Sequence, residues 1–211
     1  MSKLMLLFIF ALSFPFHILF VSGSDPDPVQ DFCVPSSGLD SECTTHVTVS
    51  DFIYSGIKFP GNFSHTETGF ISSGVNVKTF PGLNTLGMSM VRADFDVGGV
   101  NVPHYHPRAT EMGYVLEGRF YAGFVDTQGT LFAKVIEKGE VMVFPRGMLH
   151  FQMNIADSPA TIIGSLDSQN PGLMKIPSSI FGTDIKEELL QKAFHMSSRE
   201  LRSLKKRFRS K

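Results

Sequence analysis

The stretch GGVNVPHYHPRATEMGYVLEG, residues 98–118, places two histidines one residue apart and a glutamate shortly after them. If His104 and His106 lie on a strand, their spacing points both imidazoles to the same face of a sheet. Glu111 can return to that face after a short turn at Pro107. Imidazole nitrogens and a carboxylate oxygen are donors that hold transition metals, so the stretch predicts part of a metal site.

A second stretch, GEVMVFPRGMLHFQMN at residues 139–154, supplies a third histidine. Phe144 and Pro145 end an apolar run, and Gly147 allows a tight turn that delivers His150 from a separate strand. Three imidazoles and one carboxylate leave two positions open on an octahedral ion. That arrangement suits redox or oxygen chemistry better than a closed structural site.

Both stretches resemble the paired cupin motifs of plant germins and germin-like proteins. The first follows the pattern G(x)5HxH(x)4E(x)6G and the second follows G(x)5PxG(x)2H(x)3N. Every motif position is filled, by Gly98, His104, His106, Glu111 and Gly118 and then by Gly139, Pro145, Gly147, His150 and Asn154. The resemblance implies an all-β fold, a cupin double-stranded β-helix jelly-roll barrel with C-terminal α-helices and the metal inside the barrel.

The resemblance also implies which ion binds. Three imidazoles take zinc, copper or iron more tightly than manganese on intrinsic affinity, so the family likeness, and not the donor set, selects Mn(2+). Asn101 and Asn154 are expected near the ligands, as contacts to substrate or behind the first ring of donors. His46, His65 and His195 are expected to be structural or exposed.

The N-terminus is typical of a secretory signal peptide over residues 1–23. Lys3 precedes an apolar run from Leu4 to Phe20, which Pro15 interrupts and which falls short of the ~20 residues of a membrane span. Cleavage would remove one of 19 basic residues and no acid, so 18 basic against 20 acidic residues give a net charge of −2. We expect a protein secreted to the apoplast or cell wall, with no membrane span and no nucleic-acid partner.

A proline-rich N-terminal segment at residues 24–65 carries the two cysteines of the chain, Cys33 and Cys43. An intrachain disulfide is expected there, since secreted proteins mature in an oxidising compartment. Asn62 begins an Asn-Phe-Ser sequon beside Pro60-Gly61, which predicts N-glycosylation on a surface loop.

Short β-branched and aromatic segments separated by turn residues fill residues 66–176, where the barrel is predicted. Residues 177–211 change to a helical period, with capping-box spacings at Asp184–Glu187 and Ser197–Glu200. The family likeness makes this extension an oligomer contact and implies a hexamer built as a trimer of dimers. Its basic end, residues 205–211, has two interpretations: a contact for acidic cell-wall polymers or a membrane surface, or a solvated helix end.

The sequence supports three hypotheses about function. A manganese superoxide dismutase acting in plant defence or development is the enzyme hypothesis, and a non-catalytic extracellular binding or cell-wall structural cupin is the alternative. Oxalate oxidase is the third, with a small acid in place of a small oxygen species at the metal. The resemblance implies that oxalate-oxidising germins contact their substrate through two asparagines. Asn101 matches one of them, but Val91 stands where those germins have the other. Valine cannot donate a hydrogen bond to a carboxylate, and that loss typically costs about 1.5–3 kcal/mol.

Overall fold

The computed structural model describes residues 30–39 and 41–209, so the predicted signal peptide lies outside the described residues. Ten strands dominate this part of the chain. They are β1 (Phe70–Val75), β2 (Ser89–Phe95), β3 (Val100–Tyr105), β4 (Glu111–Glu117), β5 (Arg119–Val125), β6 (Leu131–Glu137), β7 (Val141–Phe144), β8 (Leu149–Asn154), β9 (Ala160–Leu166) and β10 (Met174–Lys175).

The strands form two antiparallel sheets of five strands each. One sheet has the order β1-β2-β9-β4-β7 and the other has the order β10-β3-β8-β5-β6. Neighbours in each sheet are mostly distant in sequence, so the chain repeatedly crosses from one sheet to the other. The sheets face each other across a shared interior, which is the predicted jelly-roll arrangement.

Aromatic side chains close one end of this interior. Phe95 on β2 and Phe120 on β5 are both fully buried, and their ring centroids lie 4.9 Å apart in an edge-on contact between the two sheets. Phe70 contacts Phe95 at 4.9 Å, and Val115 is also fully buried. Alternate residues of these strands point inward, as the strand period requires. The apolar end leaves the polar residues of β3, β4 and β8 to line the other part of the interior.

Two glycines with positive φ form turns of different kinds. Gly129, at a φ of 80°, lies in a hairpin between β5 and β6, where the Asp126 side chain accepts hydrogen bonds from the backbone of Gln128 and Thr130. Gly118, at a φ of 92°, joins β4 to β5, which lie in different sheets. The turn at Gly118 therefore carries a crossover between the sheets and not a paired hairpin.

The N-terminal segment is fastened to the outside of the β1-β2-β9-β4-β7 sheet by a buried carboxylate. Asp94 accepts hydrogen bonds from the Gly61 backbone at 2.9 Å, Thr161 Oγ1 at 2.8 Å and the Arg92 guanidinium at 3.0 Å. Arg92 also donates to the Ile57 carbonyl at 3.4 Å. These donors satisfy the buried carboxylate and hold residues 57–61 against the sheet.

The predicted disulfide is present. Cys33 and Cys43 are bonded, with Cα atoms 5.0 Å apart and ten residues of separation. The bond closes a short loop that a backbone hydrogen bond from Thr44 to the Val34 carbonyl also spans. Asn84 attaches this loop to the barrel, since its amide donates to the Cys33 carbonyl at 3.0 Å.

Three helices follow the last strand: α1 (Ile176–Phe181), α2 (Glu187–Phe194) and α3 (Ser198–Phe208). The capping box at Ser197 and Glu200 is confirmed, with each residue bonding the other's backbone. The one predicted at Asp184 was wrong. Asp184 binds Arg209 at 2.8 Å, and α2 begins after Lys186 with no side-chain cap.

The apolar residues Ile185, Leu189 and Ala193, which recur at intervals of four, do not form the buried face of α2. All three are exposed, and Leu190 is the buried residue of this helix. Ile185 lies before the first residue of α2. α1 was not predicted, since its sequence IPSSIF reads as a turn.

Candidate metal centre

Both sheets contribute to one cluster of side chains. His104 on β3 and His150 on β8 are direct cross-strand partners, and their ring centroids lie 4.1 Å apart. His106 follows the last residue of β3, while Glu111 begins β4 on the opposite sheet. Glu111 therefore meets the histidines from across the barrel, and does not return to their sheet as the sequence suggested.

The four predicted ligands converge. One donor atom from each of His104, His106, Glu111 and His150 lies within 4.8 Å of the others. His104, His150 and Glu111 are 2%, 1% and 6% exposed, so the donors are withdrawn from bulk water. Burying a carboxylate is costly unless a positive charge lies beside it. Here that charge would be shared between Glu111 and the neighbouring imidazoles.

Backbone carbonyls fix the orientation of all three imidazoles. The Nδ1–H groups of His104, His106 and His150 donate to the carbonyls of Val102 at 2.8 Å, Gly172 at 2.6 Å and Met148 at 2.9 Å, respectively. A carbonyl oxygen only accepts, so the hydrogen of each neutral ring lies on Nδ1. The Nε2 lone pairs are then directed into the cluster, which is the arrangement that metal-binding histidines adopt.

The contacts of Glu111 show why this cluster fits a cation. Its Oε2 atom lies 3.1 Å from His106 Nε2 and 3.3 Å from His150 Nε2. A carboxylate oxygen and an unprotonated Nε2 are both acceptors and repel each other at this distance. A cation among the donors, either a proton or a metal ion, removes that repulsion. A buried set of three nitrogens and one oxygen is a fitting donor set for a divalent transition metal.

The same contacts perturb the ionisation of the metal-free cluster. Burial, reinforced by the nearby His150, lowers the pKa of His104 to about 3. Burial also disfavours the cation of His106, but the hydrogen bond and charge of Glu111 outweigh it and raise the pKa of His106 above 6.5. Burial opposes ionisation of Glu111, yet the hydrogen bonds from His106 and His150 lower its pKa to about 2. Glu111 is therefore a carboxylate at any physiological pH.

A glycine makes room for the carboxylate. A Cβ atom on Gly164 of β9 would lie 2.5 Å from Glu111 Oε1 and 2.7 Å from Val91 Cγ1. On the other side of the cluster, the Phe144 ring stacks on the His150 ring with centroids 4.7 Å apart. Gly164 and Phe144 thus restrict where the ligand side chains can lie.

The loop at residues 170–173 completes one wall of the site. Gly172, at a φ of 70°, supplies the carbonyl that binds His106. Arg108 attaches this loop to the strand connection, with its Nε donating to the Asn170 carbonyl at 2.7 Å and its backbone donating to the Pro171 carbonyl at 3.1 Å. A Cβ atom on Gly172 would lie 2.9 Å from the Pro107 ring, so a close approach favours glycine there.

A cavity of about 350 Å³ adjoins the cluster. His104, His106 and Glu111 line it, together with Asn101 and Gln152. Asn101 donates to Gln152 Oε1 at 2.9 Å, and its Nδ2 lies 3.5 Å from His104 Nε2. The apolar wall of the cavity includes Phe70, Val91, Ala93, Phe95, Ile162, Leu166 and Leu173.

Asn154, the other asparagine expected near the ligands, lines neither the cluster nor the cavity. Its amide donates at 2.8 Å to the carbonyls of Asp96 and Ser158, and its Oδ1 accepts from the Ala156 backbone at 2.9 Å. It holds together two loops at the end of the barrel, so the prediction was wrong for this residue. The motif position reflects loop structure and not contact with a ligand.

The remaining predictions about histidines agree with the structure. His46, His65 and His195 are exposed and lie outside the cluster. Sequence reasoning missed Gln152, although its position two residues after His150 on the same strand places it on the same face. Gly164 and Gly172 carried no local signal, because their role depends on residues far away in the sequence.

Comparison with known proteins identifies the family. A family model described as Cupin matches residues 55–202. Germin-like protein subfamily 3 member 2 of Arabidopsis thaliana is 52% identical over 205 residues, covering 92% of this chain and 89% of that protein. Germin-like protein 2-4 of Oryza sativa subsp. japonica is 53% identical over 197 residues, covering 87% and 86%. The chain belongs to the germin-like proteins of the cupin family.

Solved structures show that this germin-like protein shares the fold of oxalate oxidase. A structure of recombinant oxalate oxidase in complex with glycolate is 37% identical, with a TM-score of 0.81, and the match covers 88% of this chain and 98% of that one. The predicted family and fold class are therefore confirmed. Within residues 30–39 and 41–209, no helix has the length and apolar character needed to cross a bilayer.

The close approach at Gly164 predicts a sensitive position. We expect Gly164→Ala to displace the Glu111 carboxylate and weaken metal binding by about 10–100-fold, as changes beside metal ligands typically do. Gly74→Ala is the matched control, because its Cβ would meet its nearest neighbour, Asn76 Nδ2, at 3.4 Å in the same cavity. Titration with Mn²⁺, followed by calorimetry, measures both. Equal affinities for the two variants would contradict this role of Gly164.

Metal affinity should depend on pH through His106. Metal binding needs the neutral ring, so protons compete below the raised pKa of His106, while Glu111 stays ionised down to about pH 2. We expect the affinity for Mn²⁺ to fall by at least about tenfold per pH unit in that range. The spin-resonance signal of free Mn²⁺ reports the bound fraction. An affinity that stays constant between about pH 7.5 and 5.5 would be incompatible with His106 as a ligand.

Proposed function

We propose that this germin-like protein is a secreted manganese-binding protein of the apoplast with superoxide dismutase activity and without useful oxalate oxidase activity, acting in plant defence or development. The observation that supports it most is the buried set of His104, His106, Glu111 and His150, whose donors face one another beside a cavity. The donor set fits a divalent metal, and the germin likeness favours manganese.

Bound manganese would supply a centre that alternates between two oxidation states one electron apart. Dismutation consumes two superoxide anions and two protons and yields one dioxygen and one hydrogen peroxide. The protein's part is to hold four donors in place, and the carbonyl bonds to Nδ1 also increase the basicity of each imidazole. Glu111 contributes the only negative charge among the donors, so a divalent ion leaves the site with a net positive charge that attracts small anions.

The cavity wall argues against oxalate oxidation. Val91 lines the cavity with Asn101, so the position where oxalate-oxidising germins have their second asparagine does face the site. Its isopropyl group offers no hydrogen bond to a second carboxylate. Oxalate would retain the Asn101 amide and lose a donor typically worth about 1.5–3 kcal/mol.

Secretion and glycosylation are supported by features around the N-terminal segment. The Cys33–Cys43 disulfide suits an oxidising compartment. Asn62 is exposed, and its Oδ1 accepts a hydrogen bond from the Ser64 backbone at 3.0 Å. This Asx-type turn presents the Asn62 amide nitrogen on the surface, where a glycan can be attached.

A homo-oligomer is supported by apolar side chains on the outer face of the β4–β7 pair. Met112 pairs with Val143 and Tyr114 pairs with Val141, and all four side chains are exposed. Leu189 and Phe194 of α2 are exposed as well. Neighbouring exposed apolar side chains, such as those of the β4–β7 pair, typically mark a protein contact, which agrees with the hexamer expected from the germin likeness.

A non-catalytic binding protein is the second candidate function, and the size of the cavity favours it. The cavity has a volume of about 350 Å³, many times the space that one water molecule needs. A small oxygen species needs far less space. Cavities of this size are ordinary for small organic ligands.

Superoxide consumption per bound manganese, measured on the purified mature protein, tests the proposed function. We expect dismutation that depends on the metal and that His150→Ala abolishes, since His150 is buried and its Nε2 faces Glu111 within the cluster. His195→Ala, at an exposed histidine outside the cluster, is the control that should keep full activity. Full manganese occupancy without dismutation would overturn the enzyme hypothesis in favour of a binding role.

Substitution at position 91 tests the account of oxalate. Val91→Asn should strengthen oxalate binding by about tenfold or more, because it restores one donor to a carboxylate. Val91→Leu, which adds bulk and no donor, is the control. Calorimetric titration of the manganese-loaded variants with oxalate gives the comparison. Similar oxalate affinities for Val91→Asn and the wild-type protein would show that this position does not limit oxalate binding.

A further inference from the structure

A buried serine in the cavity wall is not among the donors of the metal cluster. Ser89, the first residue of β2, is 2% exposed and lines the cavity. Among residues 30–39 and 41–209, no group forms a hydrogen bond with its hydroxyl. A buried hydroxyl without a partner typically costs about 1–3 kcal/mol, so its place in the wall of a binding cavity needs a reason.

The register of the sheet places Ser89 at the level of the metal ligands. Ser89 pairs with Leu166 on β9, and Leu166 pairs with Glu111 on β4. All three residues line the same cavity. Neighbouring strands are about 4.8 Å apart, so the backbones of Ser89 and Glu111 are separated by about 10 Å across the sheet. A molecule of several carbons can contact both ends of that interval.

The surface between the two ends is apolar. Leu166 lies directly between them, and Val91 and Ala93 continue the wall along β2. These side chains offer no hydrogen bonds, so the middle of a ligand that fits here is hydrocarbon. The two ends of the ligand must be polar, because they meet the metal cluster on one side and the Ser89 hydroxyl on the other.

The charge around the cavity selects an acid. Lys78 lines the cavity close in sequence to Asn76, and it is exposed with no ion pair to any described residue. Glu111, a metal ligand, is the only acidic side chain among the residues that line the cavity. A cationic rim and a metal both attract anions, and a hydroxyl donor completes a site for a carboxylate.

We propose that the cavity binds a dicarboxylic acid longer than oxalate, of about three to six carbons. One carboxylate lies at the metal cluster, the chain lies along Val91 and Leu166, and the second carboxylate accepts hydrogen bonds from Ser89 and Lys78. This inference rests on the metal site of the proposed function. It adds a second recognition point that neither dismutation nor oxalate binding requires.

Calorimetric titration of the manganese-loaded protein tests this inference. The probes are malonate, succinate, glutarate and adipate, with propanoate, butanoate, pentanoate and hexanoate as the monoacids of the same carbon number. We expect affinity to peak at one chain length, with the best diacid binding about tenfold more tightly than its matched monoacid. Equal affinity for the diacid and the monoacid of that length would overturn the inference.

Ser89→Ala separates a ligand contact from a structural role. We expect it to weaken the best diacid by about tenfold, leave the matched monoacid unchanged and raise the melting temperature of the ligand-free protein, since an unpaired buried hydroxyl is removed. Ser73→Ala on the neighbouring strand β1, outside the cavity lining, should change none of these values. Lys78→Gln should weaken the diacid and reduce the salt dependence of its binding.

Two results would contradict the inference in different ways. A Ser89→Ala variant that melts at a lower temperature and binds diacids normally assigns Ser89 a purely structural role. Manganese stoichiometry is measured first, so failure to load the metal counts against the proposed function itself. Failure of the diacids on protein shown to contain manganese counts against the second recognition point alone.

Discussion

The site depends on one constraint: a carboxylate is buried among three imidazoles whose outer nitrogens are already bonded to backbone carbonyls. Those carbonyl bonds fix the hydrogen on Nδ1 of His104, His106 and His150 and leave the Nε2 atoms facing Glu111. The acceptors can lie this close only when they share a cation. The protein is therefore organised around a positive charge, and the chemistry of the donors favours a metal ion.

The jelly roll provides that constraint because its strands bring distant residues together. His104 and His150 face each other within one sheet, and Glu111 approaches from the other. Gly164 leaves space for the carboxylate, and the loop around Gly172 attaches His106 to the end of the barrel. The cavity beside the cluster inherits an apolar wall from alternate residues of β2 and β9, interrupted by Ser89. The candidate metal donors and the apolar wall of the cavity thus come from different strands of the same barrel.

The motif spacing, together with the germin resemblance, predicted the four converging residues, since strand periodicity determines which side chains share a face. The all-β fold was predicted from the short β-branched and aromatic segments and from the same resemblance. It failed for Asn154, whose amide bonds two loops, and for Asp184, whose carboxylate binds Arg209. In both cases a partner distant in sequence determines the role. The strand periodicity that applies to His150 could also have placed Gln152 on the same face. The roles of Gly164 and of the unpaired Ser89 hydroxyl could not be predicted in this way, because they depend on contacts with neighbouring strands.

Anomalous diffraction at the manganese absorption edge, from crystals of the purified protein, tests the central claim most directly. We expect one peak among the Nε2 atoms of His104, His106 and His150 and a carboxylate oxygen of Glu111, with ligand distances of about 2.0–2.3 Å. The same crystals should show each Nδ1 still bonded to its carbonyl. Manganese-loaded crystals with no peak in the cluster, and with His106 bonded to Glu111 as an ion pair, would show that a proton and not a metal supplies the positive charge.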